Sequence, residues 1–303
     1  MTSTITVGLD GSPESRAAAE WAAREAKLRG LLLKLIHVWE PLPEPVAQAP
    51  LFGAETHQHW TETTARETAK GLRLRHPGIE VTTEHVAGRP REVLCEAAKA
   101  AELLVLGSRG LSGFGGFLVG SVGMAVVAHA ERPVVLVRAG EQAADEHEMD
   151  PAGIPSAATR YRPVVLGLDI DIDSLDASVI EFAFDAAALR DTGLRVVHGW
   201  NLPPYYAYGA TADLEWYDQV ARRHASALAE ALSLWRQKYP SVEVVEESRS
   251  GSPAGHLIDA SHGASLVVVG RRIRRHPFGV HVGPVTHAVL HHAPAPVAVV
   301  AHD

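Results

Sequence analysis

Short apolar runs alternate with alanine-rich amphipathic stretches along the whole chain. In the first half, Ile5 to Leu9, Leu33 to Val38, Val81 to His85, Leu103 to Leu106 and Val134 to Val137 read as strands, and residues 13–29, 55–75, 90–101 and 120–131 as helices. Strands that are apolar at nearly every position and separated by helices indicate a parallel sheet covered on both faces. The expected fold is therefore α/β, a doubly wound parallel sheet. Ser12, Pro13 and Glu14 supply an N-cap, a proline at the first helical position and an acid in the first turn. Ala18, Trp21 and Ala22 mark the apolar stripe of that helix, and Glu25 the border with its wet face.

The same order of elements occurs twice. VGLD at Val7 to Asp10 returns as LGLD at Leu166 to Asp169, and His37-Val38-Trp39 returns as His198-Gly199-Trp200. Further along, Gly88-Arg89-Pro90 matches Gly251-Ser252-Pro253, Gly107 matches Gly270, Gly120 matches Gly283, and Arg132-Pro133-Val134 matches Ala295-Pro296-Val297. A period of about half the chain means tandem domains, not a solenoid. The expected division is a first domain over 1–140, a linker over 141–160 and a second domain over 161–303. The linker region carries Glu141, Asp145, Glu146, Glu148 and Asp150 with Pro151, Gly153 and Pro155, and reads as a flexible acidic connector.

Composition narrows the class. The 303 residues are 46% hydrophobic and 21% charged, which suits two soluble globular domains. A net charge of −8 argues against a nonspecific nucleic-acid binder, since the only evident basic run is Arg271 to Arg275. The lone Cys95 forms no intrachain disulfide, and no apolar run approaches the roughly 20 residues that span a bilayer. The start of the chain carries no secretory signal pattern, so a cytoplasmic protein with no membrane partner is expected.

The stretch from Val105 to Val122, VLGSRGLSGFGGFLVGSV, carries the densest candidate chemistry. An apolar strand runs into a loop with Gly107, Arg109 and Gly110, and Gly120-Ser121 then opens an apolar helix. This order gathers backbone N–H groups, a hydroxyl and a helix N-terminus around one concavity, as a polyphosphate requires. No lysine lies in the loop, so it is neither a Walker A motif nor a dinucleotide fingerprint. Arg109 is open to two readings, phosphate pairing or a solvated surface charge. Gly113, Gly115 and Gly116 read as a loop without a ligand role. In a doubly wound sheet, ligands sit beyond the carboxyl ends of the strands, where Asp10, Val38, Gly88, Gly107 and Gly120 all fall.

The spacing of Gly107, two residues, Gly110, nine residues and Gly120-Ser121 resembles the nucleotide-binding signature of the universal stress proteins, and the likeness covers both halves. The resemblance implies ATP with Mg²⁺, the latter bridging phosphate oxygens. Asp10 with Gly11 and Ser12 would flank adenine and ribose, Val38 would contact the base, and Gly107, Gly110, Gly120, Ser121 and Val122 would hold the phosphates. Asp169, Gly270 and Gly283 are the corresponding residues of the second copy. The resemblance also implies an intrachain pseudo-dimer joined through the last strands, Val134 to Val137 and Val297 to Val300, and a further homodimer of such chains. The regulatory protein partner is left open.

The second copy departs from the pattern. Ile273 stands where Gly110 does, Pro284 replaces Ser121, Gly199 replaces Val38 and Ile170 replaces Gly11. Proline offers neither hydroxyl nor N–H, so a weaker second site is expected, with Arg271, Arg272, Arg274 and Arg275 as an electrostatic substitute or a solvated face. His287 and His291, four apart, suit either a surface role or two metal ligands on one helix face. His37 and His198 read as core histidines, and Cys95 as a structural thiol. The function expected is a nucleotide-binding regulator with at most slow hydrolysis. The rivals are an ATP-hydrolysing enzyme of a related adenine-nucleotide fold and an interaction scaffold with a degenerate second site.

Overall fold

A computed structural model of the chain describes residues 3–40, 54–108, 119–170, 177–201, 214–273 and 282–303. The chain divides into two compact units, the first running to Gln142 and the second starting at Ala143.

In the first unit the strands are β1 (Thr4–Leu9), β2 (Leu32–Trp39), β3 (Val81–Ala87), β4 (Leu103–Ser108) and β5 (Val134–Arg138). They alternate with helices α1 (Pro13–Arg29), α2 (Ala54–Arg75), α3 (Pro90–Ala100) and α4 (Ser121–His129). All neighbours are parallel, in the order β3-β2-β1-β4-β5. The order reverses between β1 and β4, and that is where such sheets open a crevice at their carboxyl ends. The core is the apolar run of each strand: Ile5, Val7, Leu33, Leu35, Leu103, Leu104, Val105 and Val135 are all inaccessible to solvent.

Helix α1 starts where the sequence places it. Ser12 adopts an extended conformation and its Oγ accepts from Ser15 N at 3.1 Å. It ends at Gly30, whose φ of +63° puts it in the left-handed region that favours glycine. Trp21, Ala18 and Ala22 are buried as expected, but so is Glu25, at 1% exposure. Its carboxylate is neutralised by Arg29 Nε at 2.6 Å one turn on, which makes burial of the charge tolerable.

The second unit repeats the plan with β6 (Val164–Gly167), β7 (Leu194–Trp200), β8 (Val244–Ser250), β9 (Leu266–Arg272) and β10 (Val297–His302). Its helices are α5 (Ala177–Leu189), α6 (Leu214–Lys238), α7 (Pro253–Ser261) and α8 (Pro284–His292). Its order is β8-β7-β6-β9-β10, again all parallel.

Residues 141–160 are not the open coil their composition suggests. Glu141 pairs with Arg24 of α1 at 2.5 Å. A short 3₁₀ turn follows over Ala143–Glu146, and the chain then folds on itself with antiparallel bridges His147↔Tyr161 and Met149↔Pro155. Asp150 Oδ1 accepts from the amides of Ala152 and Ile154 at the tip, so the acid closes a turn instead of extending a tether. The His147 and Tyr161 rings lie 4.0 Å apart, and Tyr161 is tied onward to Thr192, which donates its hydroxyl to the Tyr161 carbonyl at 2.9 Å.

Candidate functional site

At the carboxyl ends of β1, β2 and β4 of the first unit lies a cavity of 420 Å³. That volume is in the range of small-molecule sites. Three helices aim their first turns at it, through Ser12, Glu14 and Ser15 of α1, Pro90 of α3, and Gly120, Ser121, Val122 and Gly123 of α4. Asp10, Val38 and Gly107, expected from the sequence, line it too, whereas Gly11 and Gly88, also expected, do not.

The Asp10 end is rigid. Gly11 has φ +80° and turns the chain so that Asp10 Oδ1 accepts from both the amide and the hydroxyl of Ser12. Arg16 donates Nη1 to the Gly11 carbonyl at 3.0 Å and holds the turn from outside. Burial disfavours the Asp10 charge, but donation from Ser12 and the contact with Ser15 outweigh it, so the carboxyl lies below its ordinary value. It is a carboxylate at neutral pH, an acceptor for hydroxyl or amino groups.

The opposite end is built to donate. The N-cap of α4 is Gly120, which has no side chain to satisfy the first-turn amides, and that turn contains no acid. The amides of such a turn carry partial positive charge and point outward. In α1 the same groups are already served by the Ser12 hydroxyl and the Glu14 carboxylate. The two ends of the cavity therefore differ in sign, and an anionic group is directed to α4.

Gly107 has a structural part as well as a lining one. A Cβ there would stand 2.5 Å from the Glu14 carbonyl carbon and 2.7 Å from Ser15 N, so the first turn of α1 packs on β4 only because the side chain is missing. Gly88 does not line the cavity. Its φ of +150° and its amide, which donates to the Trp39 carbonyl at 3.0 Å, shape the turn into α3. Arg109 and Gly110 lie outside the described residues. Glu14, Ser15, Ile36, Pro90 and Leu94 also line the cavity; Glu14, Ser15 and Pro90 stand at helix starts, a signal in the sequence, whereas Ile36 within β2 and Leu94 a turn into α3 carry none.

In the second unit, Asp169 follows β6 as Asp10 follows β1, Gly270 lies in β9, and Gly283 is the N-cap of α8. Arg271 is a strand residue at 4% exposure, not part of a solvated basic face. Arg274 and Arg275 lie outside the described residues. His198 is buried, and His37, also buried, has its ring 5.9 Å from that of His85. His198 holds the Leu168 carbonyl at 3.1 Å with Nδ1 and faces His224 Nδ1 with Nε2 at 3.1 Å. The His224 ring in turn stacks on Trp200 with centroids 4.7 Å apart. Burial pushes the Cys95 thiol up and leaves it protonated, as a structural thiol would be.

The His287 and His291 rings are 4.4 Å apart, and no group of three or more His, Cys, Asp or Glu suited to a metal occurs among the described residues. Burial, with the charges of His291 and His292 beside it, lowers the proton affinity of His287. Its folded-state pKa is thus below the unfolded one, so the unfolded state takes up more protons as pH falls through about 6.5 and stability drops. The denaturant midpoint is expected to fall between pH 7 and pH 5.5, and His287→Gln to reduce that fall. An identical fall in the variant would show that other groups carry it.

A doubly wound parallel sheet built twice in one chain, with a cavity at the switch point of the first copy, defines a tandem α/β protein with a candidate small-molecule site. The chain belongs to the universal stress protein family, whose model matches residues 1–138 and 160–301. It is 33% identical over 306 residues to a universal stress protein of Mycolicibacterium smegmatis, covering 98% of this chain and 96% of the relative. A universal stress protein of Mycobacterium tuberculosis is 32% identical over 309 residues, covering 97% and 96%. The fold is shared with the crystal structure of a universal stress protein from Archaeoglobus fulgidus, with a TM-score of 0.68 at 17% identity over 99% of this chain and 98% of that one. No helix among the described residues is long and apolar enough to cross a membrane.

Proposed function

We propose that the first unit binds ATP, and that the protein is a nucleotide-responsive regulator with little or no hydrolysis. The observation that carries this reading is the polarity of the 420 Å³ cavity: a carboxylate at Asp10 at one end, and at the other the Ser121 hydroxyl and an α4 N-terminus whose N-cap, Gly120, has no side chain to cap it. A nucleoside offers hydroxyl and amino donors to the first, and a phosphate chain offers charge to the second. Ile36, Val38 and Leu94 supply apolar contact for a base between them.

Mg²⁺ carried on the phosphates would take its shell from phosphate oxygens and water, because the carboxylates of the described cavity wall, Asp10 and Glu14, stand at the start of α1. When bound, it would neutralise phosphate charge. Both carboxylates stand at the start of α1, while among the described residues the α4 end of the lining contributes glycine, serine and valine. Those described residues suit a phosphate and include no general base at that end, which supports binding over turnover. A cytoplasmic, homodimeric regulator is part of this reading.

Calorimetric titration with ATP in the presence of Mg²⁺ tests it. Ser121→Ala removes one hydroxyl donor to a charged group and is expected to weaken binding about tenfold, from the roughly 1.5 kcal/mol such a bond contributes. Heat absent from the wild-type titration, or a Ser121→Ala curve that superimposes on it, would reject the assignment.

A further inference from the structure

We infer that the chain holds one nucleotide, in the first unit, because the second unit has filled the equivalent cavity with its own groups. The inference rests on the nucleotide reading of the first cavity. Seven pairs of equivalent positions carry it.

At the nucleoside end, Val38 and Pro90 both line the first cavity. Their counterparts are Gly199 and Pro253. A Cβ on Gly199 would lie 2.5 Å from Pro253 Cα, so the first turn of α7 occupies the volume that a valine side chain would take. The carbonyl of Leu168, equivalent to the cavity-lining Leu9, is bound by His198. Loss of one side chain has let the helix settle onto the strand end.

At the phosphate end, Gly123 lines the first cavity and its counterpart is Thr286. The Thr286 side chain is buried and its Oγ1 donates to the Gly270 carbonyl at 2.9 Å. Gly270 is the counterpart of Gly107, so a hydroxyl now bridges the two walls that the first unit keeps apart. The amide of Ile273, in the place of Gly110, donates to the His302 carbonyl and continues the β9–β10 pairing, whose register reaches Arg272↔His302. Pro284, in the place of Ser121, has no N–H or hydroxyl to give. A phosphate entering here would meet one missing donor, one donor committed to β10 and one committed to β9. Each of those bonds would have to break, leaving a carbonyl unpaired, before its donor could serve a phosphate, a cost that the first unit does not carry.

Equilibrium dialysis of nucleotide-stripped full-length protein against ATP and Mg²⁺ reads the stoichiometry, and photolabelling with azido-ATP reads the place. One nucleotide per chain is expected, with label confined to peptides of residues 1–142. Gly120→Val is expected to lose binding more than 100-fold while keeping the wild-type unfolding midpoint to within a few degrees. A stoichiometry of two, or label in peptides of the second unit, overturns the inference and leaves the first site standing. A stoichiometry of zero in the wild type overturns both it and the nucleotide reading, so the two failures are told apart by the number itself.

Discussion

Gly107→Ala is expected to destabilise the first unit by about 3 kcal/mol, at the upper end of what overpacking costs. The reason is that the added carbon meets backbone, not a flexible side chain: it would lie 2.5 Å from the Glu14 carbonyl carbon and 2.7 Å from Ser15 N. Nothing at the start of α1 can rotate away, because Ser12 caps the helix and Asp10 grips Ser12. The first turn must move as a body, and Asp10, Ser12 and Ser15 move with it. A drop in denaturant midpoint accompanied by weakened ATP binding is the expected pair of results. A variant of wild-type stability would show that α1 yields more easily than its capping network implies.

Gly120→Val is expected to do the reverse, leaving the fold nearly intact and removing nucleotide binding. Gly120 has φ −61° and ψ 154°, values that any L-residue adopts, so no backbone strain is introduced. The cost to the helix is the difference between glycine and a poor N-cap residue, about 1 kcal/mol. The branched side chain, however, would stand over the first-turn amides that a phosphate has to approach. Loss of these charged hydrogen bonds is worth at least a hundredfold in affinity if two of them fail at about 1.5 kcal/mol each. Calorimetry and unfolding measured on the same preparation separate the two effects. Retained affinity in a stable variant would move the phosphates elsewhere.

The contrast between these two glycines shows what the sequence could and could not tell. Both were read as places where phosphate nears the main chain, and both do line the cavity. That Gly107 also admits helix α1 depends on how close α1 comes to β4, a tertiary distance that spacing along the chain does not encode. Strand ends follow the same logic. The apolar runs were read as stopping at Val38, His85, Leu106 and Val137, yet β2, β3, β4 and β5 continue to Trp39, Ala87, Ser108 and Arg138. Ser108 and Arg138 pair with one another and are buried although both are polar, so a strand's last residues follow from its neighbour and not from hydropathy. The fold class was legible because periodicity is a repeated signal. Pro284 is legible as a missing donor and Ile273 as a departure from glycine, but that the Ile273 amide is committed to His302 is not. Thr286 was not, because a threonine on a helix announces no partner until β9 is placed beside it. The buried Glu25 was misread for a related reason: its partner Arg29 is local, but the sheet that covers the pair is not.

The folded segment after Gln142 bears on how the protein could be taken apart. A cut at residue 160, where composition suggests a joint, would remove the strand partner of Tyr161 and the 3₁₀ turn that precedes it, and expose the faces on which they lie. A cut between Gln142 and Ala143 severs none of the described hydrogen bonds of that hairpin. The protein thus offers a dissection point at the very start of its acidic stretch, and a protease should find little purchase in the rest of the segment that looks most like a tether.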